Sequence, residues 1–312
     1  MKRVIITGAD GFVGSNTVEY FLQQGVEVLA VDIIDNPRRL KYHNLLSYLS
    51  CDISDRVSMM KRIKNGYYDT FVHFAWDGSA GLQRADAKLQ IDNAFITLEC
   101  MKMAKELGCK RFVCAGSIME YEMEYAIHEQ GCAPSTSYMY SLGKLTAHGL
   151  CKSLAKEIDI ELIWPIITNA YGIGELSPRF VNTTLRKIIN NEPLQFTSAV
   201  QNYDFVYITD VARAFYLISQ NGKPFCEYII GSGNAKPLKE FIIEMVHGCG
   251  VTNEPIFGDI PFTGVNLPLS IYDTSNTKND TGFEASISFG DGTKVTMDWL
   301  KFLENDNTSL IL

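Results

Sequence analysis

Tyr140 and Lys144 lie four positions apart, a spacing that places two side chains on one face of a helix. Tyr138 lies six positions before the lysine and does not share that face. A free phenol ionises with a pKa of ~10, and a neighbouring ammonium group favours its anion. The pair could therefore act as a general base that takes a proton from an alcohol. The alternative is two surface residues on a helix, because 15 tyrosines make one chance Tyr-x-x-x-Lys unsurprising.

A third candidate, Ser117, ends an apolar run in the sequence CAGS. If that run is a strand of a parallel sheet, its carboxyl end lies where such sheets bind ligands. The hydroxyl could then bridge a substrate oxygen and Tyr140. Alone, Ser117 is a serine at a strand end. A serine that precedes Tyr-x-x-x-Lys and follows a glycine-rich turn is much harder to obtain by chance.

That turn is VIITGADGFVGSN, in which Gly8, Gly11 and Gly14 follow at intervals of three. Glycines permit a tight turn and close approach of backbone N–H groups to a pyrophosphate, and the N-terminus of the following helix adds partial positive charge. The spacing is G-x-x-G-x-x-G instead of the usual G-x-G-x-x-G. It predicts a dinucleotide site, the alternative being a glycine-rich connection without a ligand.

Acidic residues follow the next two predicted strands. Asp32 ends the second strand, where a carboxylate can accept both ribose hydroxyls and would repel a 2′-phosphate, so NAD is favoured over NADP. Asp35 is close enough to be the true partner, and either could be a solvated loop acid. Asp52 closes the third strand and could border the adenine together with Ile53, or it could cap a helix.

The elements that position these residues alternate in the first half of the chain. Apolar runs such as RVIITG, EVLAVD, DTFVHFAW and RFVCAGS are separated by helical patterns, which predicts an α/β fold with a doubly wound parallel sheet. After about residue 170 the pattern is less regular and richer in Pro, Gly and Asn. We expect a Rossmann domain over residues 1–168 and a smaller, irregular substrate lobe over 169–312, with segments near 204–232 returning to the first domain.

Composition excludes several other functions. The net charge is −8 and the pI near 5.2, without a basic run, so nucleic acid and anionic membranes are disfavoured as partners. The apolar N-terminal stretch is too short for a signal peptide or a spanning helix, and we expect a cytoplasmic protein. The eight cysteines form no C-x-x-C pairs and the five histidines lack ligand spacing. We therefore expect buried, reduced thiols and no metal.

Taken together, these motifs resemble those of an extended short-chain dehydrogenase/reductase of the NAD-dependent epimerase/dehydratase type, a family that mostly modifies nucleotide-linked sugars. The resemblance spans nearly the full length, and its motifs are TGADGFVG, HFAW, RFVCAGSIMEY, YSLGK, TNAYGIG, YDFVYITDVARAF and YDTS. It implies a catalytic trio of Ser117, Tyr140 and Lys144. It also implies a structural role for His73 and dimers formed through the helices that hold Asn93 and Tyr140, although core packing explains the apolar stripes of these helices equally well.

Motifs and resemblance together predict two sets of contacts. The cofactor contacts are Gly8, Asp10, Gly11, Phe12, Val13, Gly14, Asp32, Asp52, Ile53, Phe74, Ala75, Trp76, Asn93, Tyr140, Lys144 and Ile167. The substrate contacts are Ser117, Asn169, Arg179, Phe196 and Tyr203.

The chain departs from the family pattern in two places. Dehydratases usually carry Asp-Glu after the catalytic hydroxyl residue, whereas Ser117 is followed by Ile118 and Met119, so dehydration is disfavoured and only Glu120 leaves room for it. Two arginines that normally hold the substrate phosphates are replaced by Tyr203 and by the segment NLPLSIYD. Arg179 or Arg186 could substitute, or each could be a solvated lobe residue.

The sequence thus predicts an NAD-dependent nucleotide-sugar epimerase that acts through a transient keto sugar. An NAD(P)H-dependent nucleotide-sugar 4-ketoreductase is the alternative, and Asp32 favours the epimerase because tightly held NAD suits a self-regenerating cycle. A dehydratase, a dehydrogenase of an unrelated alcohol and a non-catalytic dinucleotide-sensing regulator are the remaining alternatives.

Overall fold

The computed structural model describes residues 1–63, 67–251, 255–260 and 264–305. Its strands are β1 (Arg3–Thr7), β2 (Glu27–Asp32), β3 (Leu46–Ser50), β4 (Thr70–His73), β5 (Arg111–Cys114), β6 (Gly116–Ser117), β7 (Glu161–Ile167), β8 (Ala170–Tyr171), β9 (Gln195–Phe196), β10 (Asn202–Tyr203), β11 (Val206–Tyr207), β12 (Glu227–Ile230), β13 (Lys236–Pro237) and β14 (Ile256–Phe257). Its helices are α1 (Phe12–Gln23), α2 (Arg56–Arg62), α3 (Ala87–Glu106), α4 (Met119–His128), α5 (Met139–Ala155), α6 (Phe180–Ile189), α7 (Ile208–Asn221), α8 (Leu238–Gly248), α9 (Ser275–Thr281) and α10 (Phe289–Asn305).

The central sheet is parallel, with strand order β12-β7-β5-β4-β1-β2-β3, and β6 pairs with β7 beside this path. Thr7 at the end of β1 lies opposite both Val31 of β2 and His73 of β4. The chain proceeds outward in one direction through β2 and β3 and in the other through β4 and β5. The carboxyl ends of β1 and β4 therefore flank the point where strand order reverses, which is where open α/β sheets bind ligands. This topology confirms the predicted doubly wound fold.

Helices cover both faces of the sheet because its strands are apolar on both sides. In β1, Ile5 packs on one face with α2, α3 and α5, whereas Val4 and Ile6 pack on the other with α1 and α7. Helices α3 and α5 approach closely at Gly143, where an added Cβ would lie 2.7 Å from the carbonyl oxygen of Gln90. This contact lies between Tyr140 and Lys144 in sequence, so it sets the depth of the segment that carries them.

The rest of the chain forms small sheets beside the central one. Strands β8 and β11 pair in parallel, as do β9 and β14, and β10 pairs with β13 in antiparallel fashion. The predicted domain boundary after residue 168 falls between β7 and β8. Strand β12 lies in the segment 204–232, which we expect to return to the first domain, and it is hydrogen-bonded to β7 of the central sheet. The division into two domains stays a prediction.

Two further features concern the environment of the chain. Within the ranges given above, no helix has the length and apolar character needed to cross a membrane. The eight cysteines are free thiols, and Cys132, Cys226 and Cys249 are only partly buried, contrary to the expectation that all would be interior.

Candidate active site

A cleft of about 1060 Å³ opens at the carboxyl edge of the central sheet. Every predicted cofactor-contacting residue lines it, from the turn after β1 to Ile167 at the end of β7. Of the predicted substrate residues, Ser117 and Arg179 also line it. Segments far apart in the chain thus meet along one continuous surface.

The glycine-rich turn forms the floor of this cleft between β1 and α1. Gly8 has a φ of +65°, and an added Cβ there would lie 2.6 Å from the backbone nitrogen of Ala75. A Cβ on Gly14 would lie 2.0 Å from the carbonyl oxygen of Gly8. Larger residues would therefore close the turn. Helix α1 begins at Phe12, within the glycine motif, and has no acidic residue in its first turn, so the partial positive charge of its N-terminus lies at the cleft.

Asp32 and Asp10 organise the neighbouring wall. The two carboxylate oxygens of Asp32 accept hydrogen bonds from the backbone N–H groups of Asp10 and Ile33, each at 2.8 Å. Asp10 in turn accepts from the backbone N–H groups of Arg38 and Arg39 at 2.9 and 2.8 Å. The Asp10 carboxylate therefore fastens the loop after β2 to the glycine turn, and Asp32 keeps further lone pairs for a ligand.

The alternatives left open for two other acids can be compared with this geometry. Asp35 is not among the residues that line the cleft, and its Oδ1 accepts a hydrogen bond of 2.7 Å from the Ser50 hydroxyl. Asp52 does line the cleft and is not the cap of a helix, because α2 begins after Asp55, whose carboxylate accepts from the Ser58 N–H. Of these three acids, Asp32 and Asp52 line the cleft and Asp35 does not.

Tyr140 and Lys144 of α5 reach the cleft from the other side, opposite β6. Both are nearly buried, at 9% and 5% exposure. The Lys144 ammonium donates a 3.0 Å hydrogen bond to the carbonyl oxygen of Ala115, next to the β6 strand that carries Ser117. The Ser117 hydroxyl accepts from the Met119 N–H at 3.3 Å, which leaves its proton available for donation. The arrangement can exchange a proton with an alcohol held between Ser117 and Tyr140.

Glu120 is a buried acid that binds the backbone of Ser117. It is 3% exposed, and its carboxylate accepts from the Ser117 N–H at 2.8 Å and from the Trp164 indole N–H at 3.2 Å. The Nδ1 atom of His148 lies 3.2 Å from the same carboxylate. Glu120 is not among the residues lining the cleft, so it is badly placed to act as the acid or base of a dehydration.

His73 connects β4 to its neighbours. Its ring nitrogens share hydrogen bonds with the hydroxyls of Thr7 at 2.7 Å and Thr97 at 3.2 Å. Burial lowers the pKa of His73 to about 3, and the positive charge of Lys144 acts in the same direction. The imidazole is neutral at physiological pH and fits the predicted structural role.

A family model described as NAD dependent epimerase/dehydratase family matches residues 4–231, which span β1 to β12 and the whole cleft floor. The chain belongs to the NAD-dependent epimerase/dehydratase family. It is therefore an NAD-dependent enzyme of the extended short-chain dehydrogenase/reductase type.

Individual members of the epimerase/dehydratase family are similar to this chain at low identity. The dTDP-4-dehydro-6-deoxyglucose reductase of Escherichia coli is 25% identical over 260 residues, 77% of this chain and 79% of that protein. The human dTDP-D-glucose 4,6-dehydratase is 20% identical over 324 residues, 96% and 90% of the two chains. The structure of UDP-glucose 4-epimerase from Thermotoga maritima with UDP-glucose superposes with a TM-score of 0.77 at 20% identity, covering 97% of this chain and 99% of that one.

The cofactor of this family is NAD, and the cleft residues fit it. Gly8 and Gly14 leave a cradle that any Cβ would fill, the N-terminus of α1 faces it, and Asp32 stands at the end of β2. These features suit a pyrophosphate and a ribose. Asn93 also lines the cleft, and its side-chain amide bonds the backbone N–H and carbonyl of Asp77 and so holds the loop after Trp76.

Three predicted substrate residues do not line the cleft. Asn169 donates a 3.0 Å hydrogen bond to the carbonyl oxygen of Asp204, and Phe196 packs between Phe180 and Phe257. The Tyr203 ring stacks on Phe205 with centroids 5.6 Å apart. Their substrate roles stay predictions.

Two residues near the predicted catalytic trio carry no sequence signal strong enough to predict them. Arg84 lies against the ring of Tyr140. Glu122 of α4 is close enough for its negative charge to act on the pKa of Arg84. The one available signal for Arg84 was its place in the loop that follows the HFAW motif at the carboxyl edge of the sheet. Glu122 gave no signal, because an acid in the first turn of a helix is common.

Proposed function

We propose that this enzyme is a nucleotide-sugar epimerase that works through a transient keto sugar. The observation that carries the proposal is the meeting of Ser117, Tyr140 and Lys144 with the glycine turn and Asp32 along one cleft. The proton leaves the hydroxyl oxygen while the hydride leaves the carbon that bears it, so the groups for both need to share one surface.

The residues of the chain divide the work between them. Tyr140 removes a proton from one hydroxyl of the sugar and returns it at the end of the cycle, while Ser117 donates a hydrogen bond to the same oxygen. Lys144, buried beside them, supplies positive charge that favours the phenolate. Bound NAD supplies a hydride acceptor and later a hydride donor. When the keto sugar turns over before the hydride returns, the configuration at that carbon is inverted.

Two observations favour epimerisation over the other family activities. A dehydratase needs an additional acid and base beside the trio, whereas Ile118 and Met119 are apolar and Glu120 is buried in hydrogen bonds away from the cleft. A carboxylate at the end of β2, as Asp32 provides, would repel the 2′-phosphate of NADP, and retained NAD suits an epimerase. The 4-ketoreductase alternative is supported by the similarity to the E. coli reductase.

The test is incubation of the NAD-loaded protein with UDP-glucose, UDP-glucuronate and dTDP-glucose. Separation of the sugar isomers by chromatography, with absorbance at the NADH band followed in parallel, measures both activities. We expect one substrate to approach an isomer equilibrium without net change in NADH. A parallel incubation contains added NADH and a 4-keto nucleotide sugar, and consumption of NADH in proportion to a reduced product there, without isomer formation in the first incubation, would establish the ketoreductase instead.

The matched variant for this test is Tyr140→Phe. The control is Tyr125→Phe, because the Tyr125 side chain of α4 is exposed. Loss of the general base lowers kcat by about 10²- to 10⁴-fold, whereas NAD affinity is expected to change little. A Tyr140→Phe protein that isomerises sugars at the wild-type rate would contradict the assignment.

A further inference from the structure

Arg84 lies directly on the ring of the proposed general base. Its guanidinium carbon is 4.4 Å from the centroid of the Tyr140 ring, and the side chain is partly buried. One terminal nitrogen donates a 3.3 Å hydrogen bond to the carbonyl oxygen of Ser79, which lines the cleft. Arg84 is not itself among the residues that line the cleft, and its guanidinium lies beside the cleft against two residues that are, Ser79 and Tyr140.

The turn that carries Arg84 is held in place by one buried side chain. Gln90 of α3 donates to the carbonyl oxygens of Gly78 at 3.1 Å and Gln83 at 3.0 Å, and it accepts from the Trp76 indole N–H at 2.7 Å. Gln90 is fully buried. The position of Arg84 is thus set by the same amide that orients Trp76 beside the trio.

The charge of Arg84 is not matched by a nearby acid. Within the part of the chain that the structure describes, no carboxylate lies within 4.0 Å of its nitrogens. Burial lowers the pKa of Arg84, against the opposing effects of Tyr140 and Glu122, and the like charge of Arg179 acts in the same direction as burial. A partly desolvated guanidinium without a counter-ion is unfavourable, and its forked N–H donors match the oxygens of a carboxylate or phosphate.

Arg179 adds a second cation on the same side. It lines the cleft, and its Nε atom lies 3.3 Å from the carboxylate of Glu175. Glu175 is buried and also accepts from the Ser177 N–H and hydroxyl. Within the described residues the terminal nitrogens of the Arg179 guanidinium form no hydrogen bond, so they are available to a ligand in the cleft.

Glu122 of α4 is the carboxyl group whose charge acts on Arg84, and burial disfavours its ionised form. Burial raises the pKa of Glu122 to about 7, against the opposing effects of a hydrogen bond from the Tyr138 hydroxyl and the charge of Arg84. The Tyr138 oxygen also accepts from the Val265 N–H at 3.2 Å, which holds this pair in place. Near neutral pH, Glu122 is a partial counter-charge at most, and the pair of arginines remains net positive.

We propose that Arg84 and Arg179 form an oxyanion-binding subsite beside Tyr140, which binds the carboxylate or the diphosphate of a nucleotide sugar. The inference rests on the proposed function for its ligand class. The Arg84–Arg179 subsite would supply the cationic contacts that family members make through arginines at the positions of Tyr203 and residues 266–273, where this chain has none. Because Arg84 comes from the loop after β4, this subsite lies next to the reacting carbon.

The test is calorimetric titration of the NAD-loaded protein with UDP-glucuronate, UDP-glucose and UDP. Arg84→Met and Arg179→Met are compared with Arg186→Met, because Arg186 does not line the cleft and its guanidinium pairs with Glu304 of α10. Loss of an arginine–oxyanion contact is expected to raise Kd about tenfold or more. An effect confined to UDP-glucuronate assigns the sugar carboxylate, and an equal effect on all three ligands assigns the diphosphate.

Two outcomes would overturn the subsite. One is an Arg84→Met protein whose affinities match those of the Arg186→Met control, and the other is a wild-type protein that binds none of the ligands while it retains NAD. If Arg84→Met loses NAD as well, Arg84→Lys is the variant that tests the subsite, because lysine keeps the positive charge but lacks the paired N–H donors of the guanidinium. Lysine is expected to retain NAD and weaken oxyanion binding, and unchanged binding overturns the proposal. If the wild-type protein forms isomers and Arg84→Met binds the ligands as tightly as wild type, only the subsite is refuted. If Arg84→Met binds the ligands more weakly but the wild-type protein forms no isomers, only the epimerase activity is refuted.

Discussion

The ammonium nitrogen of Lys144 lies 3.8 Å from the ring centroid of Trp76, so the proposed catalytic cation rests on an aromatic face. Trp76 also meets the Tyr140 ring edge to face, with centroids 6.0 Å apart. The ring of one loop residue thus contacts both members of the Tyr-x-x-x-Lys pair and fixes their separation more tightly than the helix alone would.

Replacing Trp76 is expected to loosen this arrangement. Trp76→Leu removes the aromatic face and should lower kcat by about 2- to 30-fold, the equivalent of 0.5–2 kcal/mol of cation–π attraction. Trp76→Phe keeps the face, loses only the indole N–H and should lie closer to wild type. Turnover of the preferred nucleotide sugar measures both variants, and equal kcat values for Leu and Phe would show that the ring face is not needed.

The choice of NAD is expected to depend on Asp32 and not on Asp35. Asp32→Ser removes a charged acceptor for ribose hydroxyls and should raise the Kd for NAD by about 10- to 100-fold. Its Kd for NADP should fall or stay constant, because the repulsion of a 2′-phosphate is also removed. Fluorescence titration of the apoprotein measures both constants. The control is Asp35→Ser, whose partner is the Ser50 hydroxyl, and a larger loss of NAD affinity in this control would reverse the assignment.

Glu120 is expected to contribute stability instead of acid–base chemistry. Glu120→Ala leaves the Ser117 N–H and the Trp164 indole N–H without an acceptor, at a cost of about 1–3 kcal/mol for each buried donor. Glu120→Gln retains an acceptor oxygen and should cost less. Urea unfolding gives the free energies, with exposed Glu124→Ala as the control. Wild-type stability in Glu120→Ala, together with lost turnover, would point to a chemical role.

Glu122 is expected to make stability depend on pH. Burial raises its pKa to about 7, above the ordinary ~4.3 of the unfolded chain, so the folded state holds the proton more tightly. Its contribution to stability is then full below about pH 4 and is lost as the pH rises through about 7. The groups facing it are Arg84, Tyr138, Tyr203 and Tyr272.

The matched variant is Glu122→Gln, which does not titrate. Its melting temperature relative to wild type should rise between about pH 5 and pH 7.5 and then level off. Glu129→Gln, an exposed acid just after α4, serves as the control and should show no such trend. Parallel melting curves for Glu122→Gln and wild type across this range would mean that the carboxyl ionises normally.

Local patterns along the chain were sufficient for a large part of this picture. The glycine turn, the alternation of apolar strands with helices, and the four-residue spacing of Tyr140 and Lys144 each depend on neighbours in sequence. The parallel sheet then follows from strands that are apolar on both faces, and its carboxyl edge places Ser117, Asp32 and the turn together. For this reason the fold class and the cofactor side of the cleft could be predicted before any coordinates were known.

Contacts between distant segments decided the rest. Arg84 meets Tyr140, and Glu120 meets Trp164, across loops whose course no local pattern specifies. The same holds for Asn169, Phe196 and Tyr203, which contact Asp204, Phe180 and Phe205 and do not line the cleft. The sequence by itself determined which chemical groups the chain possesses and the secondary structure that carries them. Only the tertiary structure decided which charges share a desolvated space, because burial and counter-ions depend on every element packed around a side chain.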